Sequence, residues 1–557
     1  MIAELLAPAL ELALSPAVIL AVLAGVVLGV TVGAVPGISG DMAMALLLPF
    51  VFTMDPAPAI GMLMGVYKGG LFGGSVSAIL FGVPGTPGAA ATVMDGYPAK
   101  MAGYPSRALH TALYSSITGD FIGLLVLVFV AAPLAVLALH FGPREFFALY
   151  LVSILIIAAL DGERKARGLA AAGFGVLLAM VGRDPFTGAE RLTFGIAGLG
   201  SGLSLVPVLI GLFAVSEILL QASRTWQERR NNRLRDTPAQ PEAGIRRSAT
   251  DRLGGREFCS LWRPVGIGSA LGTIIGALPG AGATLAGFLS YGLARRASGS
   301  PERFGRGSLE GIAAPEAGNS ATANATLIPL FAFGIPGSGS AALIGAAFVM
   351  QGISPGPMMI DENLAIVYAI FLLLLAGSLF NLLSSKLLLP WYARIAMFEP
   401  RFMLPIVLGL AVLGTYAANN TAFDVLVLVA AGLTGVALRL VGIPVVPLAL
   451  GFILGPGLER ALRQSLILGQ NELNYLLESS TAVAIYVAGA ALLLLLLRSH
   501  APGPAAVRGP GIGIIVPSLF TAAWGIAFFH AVLKLGLIAG TFLGLAAAMG
   551  FLLSLIH

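Results

Sequence analysis

Long apolar stretches without a single charge constrain the fold of this chain more than any other feature. Residues 363–385 and 480–497 contain no Asp, Glu, Lys or Arg, and each is long enough to cross a bilayer as one helix. Only 11% of the 557 residues are charged, against about 25% in ordinary soluble domains. The sequence therefore predicts an all-α polytopic membrane protein with about 10–14 membrane segments.

Composition and motifs disfavour an enzyme. The single cysteine, Cys259, excludes a disulfide framework and a multi-cysteine metal site, and the five histidines are scattered. The sequence has no phosphate-binding loop, no HExxH motif and no soluble region large enough to bind a nucleotide. GISPG at 352–356 fits the GxSxG pattern only formally, because a proline follows the serine. We expect no catalytic residue, no bound metal and no cofactor other than a coupling ion.

Basic residues cluster in a few loops, and these loops predict the orientation of the chain. Arg and Lys concentrate in 161–168, 225–263 and 295–307, so these segments are expected on the cytoplasmic side. The net charge of +5 comes from loops beside membrane spans, and it is not a signal for nucleic-acid binding. We predict four regions: a first membrane repeat over 1–222, a basic cytoplasmic linker over 223–263, a second membrane repeat over 264–498, and a C-terminal extension over 499–557 with two further apolar segments.

Two motifs occur twice in the same order, which indicates an internal duplication. GVTVGAVPG at 29–37 matches GTIIGALPG at 272–280, and both end in a GxxPG motif. FGVPGTPG at 81–88 matches FGIPGSGS at 333–340, and we call these two segments the broken-helix motifs. The residues expected to have a structural role in the GxxPG motifs are Gly33, Pro36, Gly37, Gly276, Pro279 and Gly280.

The loops that follow the broken-helix motifs differ in charge. The loop after the first motif carries Lys100 and Arg107, whereas its counterpart at 351–363 has two acids and no basic residue. Because basic loops favour the cytoplasmic side, equivalent loops of opposite charge predict two repeats of inverted topology.

Each broken-helix motif combines residues that interrupt a helix. Proline lacks a backbone N–H and glycine is flexible, so these segments cannot continue as regular helices. Non-helical backbone at membrane depth is tolerated only where it is buried or lines a polar cavity, and its free N–H and C=O groups suit a carboxylate and a cation. A tight packing kink is the alternative. We expect the two motifs to face each other across one cavity, with a substrate site formed by Lys68, Ser75, Gly82, Pro84, Gly85, Thr86, Gly88, Gly334, Pro336, Gly337, Ser338 and Ser340.

Two charged residues interrupt apolar sequence, and such charges usually have a function. Lys68 is a candidate partner for a substrate carboxylate, and Glu316 precedes a run of Asn, Ser and Thr that resembles the surroundings of a sodium or proton site. The alternative is that both lie at the membrane interface or pair with each other. Asp120 is a weaker candidate that lines a helix contact in the simplest interpretation. The predicted coupling-ion residues are Glu316, Asn319, Ser320 and Asn324.

Four segments together resemble the large membrane subunit of the tripartite tricarboxylate transporters. They are GAVPGISG (33–40), the block 68–109, GALPGAGA (276–283) and the block 315–346, and the resemblance spans about 1–498. It implies a multi-pass protein of the bacterial inner membrane that imports an organic carboxylate by symport with sodium ions or protons. It also implies two partners, a small membrane subunit and a periplasmic solute-binding protein.

Inverted repeats joined by a linker predict alternating access, in which one block of helices moves relative to another in an elevator-like motion. The alternative function is a stand-alone carboxylate channel or carrier that needs no binding protein. A typical large subunit of this family would end near residue 498. The extension over 499–557 is either a piece related to the small subunit or a pair of additional packing helices.

Overall fold

The computed structural model of the protein describes residues 2–35, 39–160, 165–223, 253–280, 282–362, 364–395 and 400–498. The C-terminal extension, most of the predicted linker, and Pro36 and Gly37 of the first GxxPG motif lie outside the described residues. The expectations for these segments stay predictions.

Helices form most of the described structure. Pro residues at first positions and Ser caps start several of them, as at α2, where Ser15 Oγ accepts a hydrogen bond from the Val18 N–H. The helices are α1 Ile2–Ala13, α2 Pro16–Ala34, α3 Gly40–Phe52, α4 Pro56–Phe81, α5 Val93–Met101, α6 Pro105–Ala138, α7 Pro143–Leu160, α8 Lys165–Ala179, α9 Leu205–Ser223, α10 Gly255–Ser260, α11 Trp262–Gly276, α12 Gly282–Ala297, α13 Leu309–Ala325, α14 Leu327–Phe333, α15 Gly339–Met350, α16 Pro357–Glu362, α17 Leu364–Ile395, α18 Pro400–Asn419, α19 Ala422–Leu440, α20 Val445–Leu468 and α21 Ser480–Arg498.

The prediction of an all-α polytopic membrane protein is confirmed. Among the described residues, seven helices are long and apolar enough to cross a membrane, and four shorter apolar helices accompany them. The only strands there are β1 (Gly182–Arg183) and β2 (Glu190–Arg191), which pair in an antiparallel ribbon of two residues each. The number of membrane segments and the inverted topology stay predictions.

Helices α2 and α4 pack with their backbones in close contact because glycines line both faces. A Cβ added at Gly29 would overlap the carbonyl oxygen of Val66, and one at Gly69 would overlap the carbonyl of Val26. Such spacing of small residues is typical of helices that associate in membranes. The same contact recurs between α11 and α13, where a Cβ at Gly272 would overlap the carbonyl of Gly318. Gly272 lies 243 residues after Gly29, the spacing of the GxxPG motifs.

The chain divides into two compact units. The described residues of the first unit fall within 1–140 and 206–432, and those of the second fall within 141–205 and 433–498. The predicted site residues all belong to the first unit. The predicted repeats divide the chain by sequence similarity rather than by packing, and that division stays a prediction.

In the second unit, the β1–β2 ribbon is held by a cluster of four charged side chains. Arg191 donates to Glu459 at 2.6 Å, and Arg463 lies 2.8 Å from Asp184 and 3.0 Å from Glu459. The carboxylate of Asp184 also accepts hydrogen bonds from the backbone N–H groups of Phe186 and Thr187. Two acids and two arginines therefore balance each other in this cluster.

Candidate functional site

Both broken-helix motifs interrupt their helices, as the sequence predicts. Helix α4 ends at Phe81, and Gly82 adopts the left-handed conformation with φ 69°. Helix α14 ends at Phe333, and Gly334 adopts the same conformation with φ 72°. Glycine is favoured at such positions because it has no Cβ to clash with the backbone. The equivalent conformations agree with the duplicated sequence.

Each broken-helix motif packs against the GxxPG motif of its own half. A Cβ at Gly85 would overlap the carbonyl oxygen of Gly33, and the Gly280 N–H donates to the Gly337 carbonyl at 2.9 Å. The backbone N–H groups of Gly85 and Gly337 also donate within the protein, to Gly74 and Thr326 respectively. These two amides are therefore already paired, although the sequence suggested that the motif offers free groups to a substrate.

Glu316 is held by hydroxyl groups in the interior of the first unit. Its side chain is 0% exposed, Ser75 Oγ donates to Oε2 at 2.7 Å, and Thr92 Oγ1 donates to Oε1. No Lys, Arg or His within the part of the chain that the structure describes forms an ion pair with it. We call Glu316, Ser75, Thr92 and Asn319 the Glu316 cluster. The cluster contains no positive charge that would balance this carboxylate when it is ionised.

Asn319 lies one turn after Glu316 on the same face of α13. Its side chain is 1% exposed, and neither its Oδ1 nor its Nδ2 has a hydrogen-bond partner among the described residues. A Cβ added at Gly88 would overlap Asn319 Oδ1, so the amide faces the first broken-helix motif at close range. Thr86 Oγ1, in the same motif, is also buried without a described partner. Unpaired buried polar groups are costly, and they indicate a place where a ligand or water binds.

Lys68 belongs to a second, separate cluster. It is 2% exposed, forms an ion pair with Asp120, and donates to Asn324 Oδ1 at 2.7 Å. Asn324 Nδ2 donates to Asp120 Oδ1 at 2.8 Å, and Ser378 Oγ donates to Asp120 Oδ2. We call Lys68, Asp120, Asn324 and Ser378 the Lys68 cluster. It joins α4, α6, α13 and α17, and its one positive and one negative charge cancel.

The hydroxyls of the second broken-helix motif are also engaged. Ser338 caps α15 by accepting a hydrogen bond from the Ala341 N–H at 3.1 Å, and it lies 3.4 Å from Thr326 Oγ1. Ser340 Oγ donates to Asp41 Oδ1 at the beginning of α3. A carboxylate is favourable at the N-terminal end of a helix such as α15. The sequence predicts that a substrate carboxylate binds at a helix end of this kind. In the structure, the carboxylate of Asp41 lies there.

The two broken-helix motifs lie near the same helix. Gly88 approaches Asn319 of α13, and Gly337 bonds Thr326 just after the end of α13. These contact points are seven residues apart, which corresponds to about 10 Å along a helix. A shared cavity between the motifs stays a prediction.

The predicted coupling-ion residues divide among three places. Glu316 and Asn319 lie together, Asn324 belongs to the Lys68 cluster, and Ser320 Oγ pairs with Ser116 Oγ of α6 at 2.6 Å. Asp120 does more than line a helix contact, because it forms the ion pair with Lys68. Its signal in the sequence was an acid inside an apolar run. The contacts of Thr92, Asp41 and Ser378 had no such signal, since hydroxyls and helix-start acids are common.

Comparison with known proteins gives one family. The family profile described as "Tripartite tricarboxylate transporter TctA family" matches residues 19–450. The "Uncharacterized 52.8 kDa protein in TAR-I ttuC' 3'region" of Agrobacterium vitis is 36% identical over 461 residues, 83% of this chain and 89% of that protein. The "Uncharacterized protein in TAR-II ttuC' 3'region" of the same organism is 35% identical over 226 residues, 41% of this chain and 93% of that protein. No solved structure matches the chain. The chain belongs to the tripartite tricarboxylate transporter TctA family, the large membrane subunits of these transporters.

Proposed function

We propose that this chain imports an organic di- or tricarboxylate across the bacterial inner membrane together with a cation. A periplasmic solute-binding protein delivers the substrate, and a small membrane subunit completes the assembly. Membership of the family supports the class of substrate and the tripartite organisation. The chain itself provides the transport path and the coupling site.

The observation that carries the proposal is the unbalanced charge of Glu316. A buried carboxylate with only hydroxyl partners is costly whenever it is ionised, because an uncompensated ion in surroundings of low dielectric costs several kcal/mol. A bound sodium ion or a proton on the carboxylate would remove that cost. Hydroxyl, carboxylate and amide oxygens from Ser75, Thr92, Glu316 and Asn319 are the ligand types that hard cations prefer. Coupling follows because the site is complete only when a cation is present.

We place one carboxylate of the substrate next to this cation. Asn319 Nδ2 and the Thr86 hydroxyl are buried donors with no described partner, and both adjoin the first broken-helix motif. A substrate carboxylate that accepts from them would also lie near the cation, so each ligand would strengthen the binding of the other. Substrate and cation would then move together.

Alternating access is the proposed mechanism, and the glycine packing defines the moving part. Helices α2 and α4 contact each other through their backbones, so they would move as one rigid block. This block would carry the first broken-helix motif, whose Gly85 packs on Gly33 of α2. An elevator-like displacement of such a block fits these contacts better than local gating by a single side chain.

Transport into proteoliposomes tests this function. The full chain is reconstituted with the small subunit, and the solute-binding protein is added with the carboxylate that it retains on purification. We expect accumulation only when the binding protein is present and a sodium or proton gradient is directed inward. Equal flux without the binding protein and without any gradient would instead support the stand-alone channel or carrier.

A further inference from the structure

We propose that a groove bounded by α6, α10 and α17 binds an anionic phospholipid. The lipid would belong to the leaflet on the side of the membrane where the basic loops are expected. The groove has a volume of about 640 Å³, within the range of ligand sites in proteins. It lies in the first unit and shares no residue with the Glu316 or Lys68 clusters. The lining residues on which the proposal rests are Tyr114 of α6, Phe258 of α10, and Leu379, Leu382, Leu383 and Lys386 of α17; two further residues of α6 and residues 253–255 complete the lining.

The wall formed by α17 has an apolar part and a charged end. Leu379, Leu382, Leu383 and Lys386 follow the spacing i, i+3, i+4 and i+7, so they form one stripe along the helix. Leu379 and Leu383 are 55% and 53% exposed. Lys386 is the last residue of this stripe. It lies on the side of the stripe towards the C-terminal end of α17, whose last turn contains Arg394. An apolar stripe of about 10 Å that ends in a cation matches the acyl chain and phosphate of a lipid.

The opposite side of the groove is fixed before any ligand arrives. Arg107 at the start of α6 forms an ion pair with Glu257 of α10, which holds the short helix in place. The rings of Tyr114 and Phe258 meet edge to face with centroids 5.5 Å apart. A preformed wall reduces the entropic cost of binding.

The charge of the groove selects the headgroup. Lys386 is exposed and is the one basic side chain among the residues that line the groove. It has no hydrogen bond or ion pair to any residue in the described ranges, so its ammonium group is available to a phosphate. Basic pockets between transmembrane helices on the cytoplasmic side are a recognised mode of anionic-lipid binding. An apolar helix of another protein would instead leave this ammonium without a counter-charge.

Native mass spectrometry of the full chain tests the site. The protein is released from vesicles of equal parts phosphatidylglycerol and phosphatidylcholine, and the retained lipids are counted. We expect the wild type to retain phosphatidylglycerol preferentially and Lys386→Gln to lose about fivefold of that preference. Arg296→Gln, which removes an exposed charge elsewhere in the first unit, is the control and is expected to behave as wild type. Leu383→Trp keeps the charge but fills the groove, and it is expected to reduce retention of phosphatidylglycerol.

Any of four results would overturn the proposal. Equal retention of both lipids by the wild type would mean that the groove does not recognise the headgroup. An equal loss in Lys386→Gln and Arg296→Gln would assign the preference to net charge alone. Unchanged preference in both Lys386→Gln and Leu383→Trp would place the lipid elsewhere, as would a co-purifying membrane polypeptide that excludes both lipids from the groove.

Discussion

The Lys68 cluster and the Glu316 cluster are both buried in the first unit, and both contact α13, yet they differ in charge balance. Lys68 and Asp120 cancel each other, and the polar groups of Asn324 and Ser378 complete their hydrogen bonds. Glu316 has two hydroxyl donors and no counter-charge among the described residues, and the amide of Asn319 beside it has no partner. The first cluster is complete within the protein, whereas the second leaves a carboxylate without a counter-charge and an amide without a partner among the described residues.

This difference separates two roles that a charge in a membrane can have. A balanced ion pair that joins four helices contributes to the arrangement of those helices. An unbalanced carboxylate beside a break in the backbone is suited to bind and release an ion. We therefore expect Lys68 to matter for the fold of this subunit and Glu316 to matter for coupling.

The largest expected effect concerns the stability of the Lys68 cluster. Lys68→Ala or Asp120→Ala alone leaves an uncompensated buried charge and should destabilise the protein by about 3–5 kcal/mol. The double variant Lys68→Met with Asp120→Leu removes both charges and should recover most of that loss. Thermal unfolding in detergent measures all three. If the double variant were as unstable as each single variant, the pair would not be self-contained.

The next effect concerns the position of the Asn319 amide. In Gly88→Ala the new methyl group would overlap Asn319 Oδ1 and lie 3.0 Å from the Cβ of Ala283, so it should displace the amide. We expect uptake to fall by about tenfold or more, since small displacements at a binding site have large effects. Gly292→Ala is the matched control, because nothing lies within 4 Å of its added Cβ. Equal uptake by the two variants would remove Asn319 from the site.

Hydroxyl substitutions compare the two clusters directly. Ser75→Ala and Thr92→Val each remove a hydrogen bond to the Glu316 carboxylate and should raise the half-saturating cation concentration by about tenfold. Ser378→Ala removes the corresponding hydrogen bond to Asp120 and should lower the melting temperature without changing the cation dependence. Cation titrations of uptake, with melting curves alongside, test both. A shift in cation dependence for Ser378→Ala would contradict the separation of the clusters.

The smallest expected effect lies in the charge cluster of the second unit. Desolvation raises the pKa of Asp184, but the N–H groups of Phe186 and Thr187 and the Arg463 guanidinium lower it by more, so the net pKa lies below its usual value. Its stabilising contribution is therefore full above the unfolded pKa of about 3.9 and is lost as the pH falls through the folded pKa. Asp184→Asn should unfold at a lower temperature than wild type at pH 7.

The difference between Asp184→Asn and wild type should vanish in strong acid. Melting curves at pH 7 and in acid below the lowered pKa of folded Asp184 measure it, with the exposed Asp55→Asn as control, since Asp55 has no side-chain capping hydrogen bond. A difference that is the same at both pH values would show that the effect is not electrostatic.

The sequence predicts the helical class and the helix breaks because both depend on local properties. Long apolar runs, and Gly and Pro within 81–88 and 333–340, need no knowledge of tertiary contacts. The close packing of α2 on α4 is likewise visible as glycines four residues apart. These features were predictable from residue type and spacing alone.

The partners of the buried charges were not predictable in the same way. Lys68 and Asp120 are 52 residues apart in sequence, and Glu316 meets Ser75 across 241 residues, so no local pattern links them. Lys68 and Glu316 look equivalent in sequence, as single charges in apolar surroundings. Only the three-dimensional contacts show that one charge is balanced and the other is not.

The most direct test of this account is gradient-driven uptake by Glu316→Gln. Glutamine keeps the size of the side chain and a hydrogen-bonding group but removes the charge that the cation would balance. Wild type and variant are reconstituted with the same partners, and carboxylate uptake is measured with and without an inward sodium or proton gradient. We predict that the variant is as stable as wild type and that a gradient no longer drives accumulation. Accumulation by the variant with wild-type dependence on the gradient would contradict the assignment of Glu316 as the coupling residue.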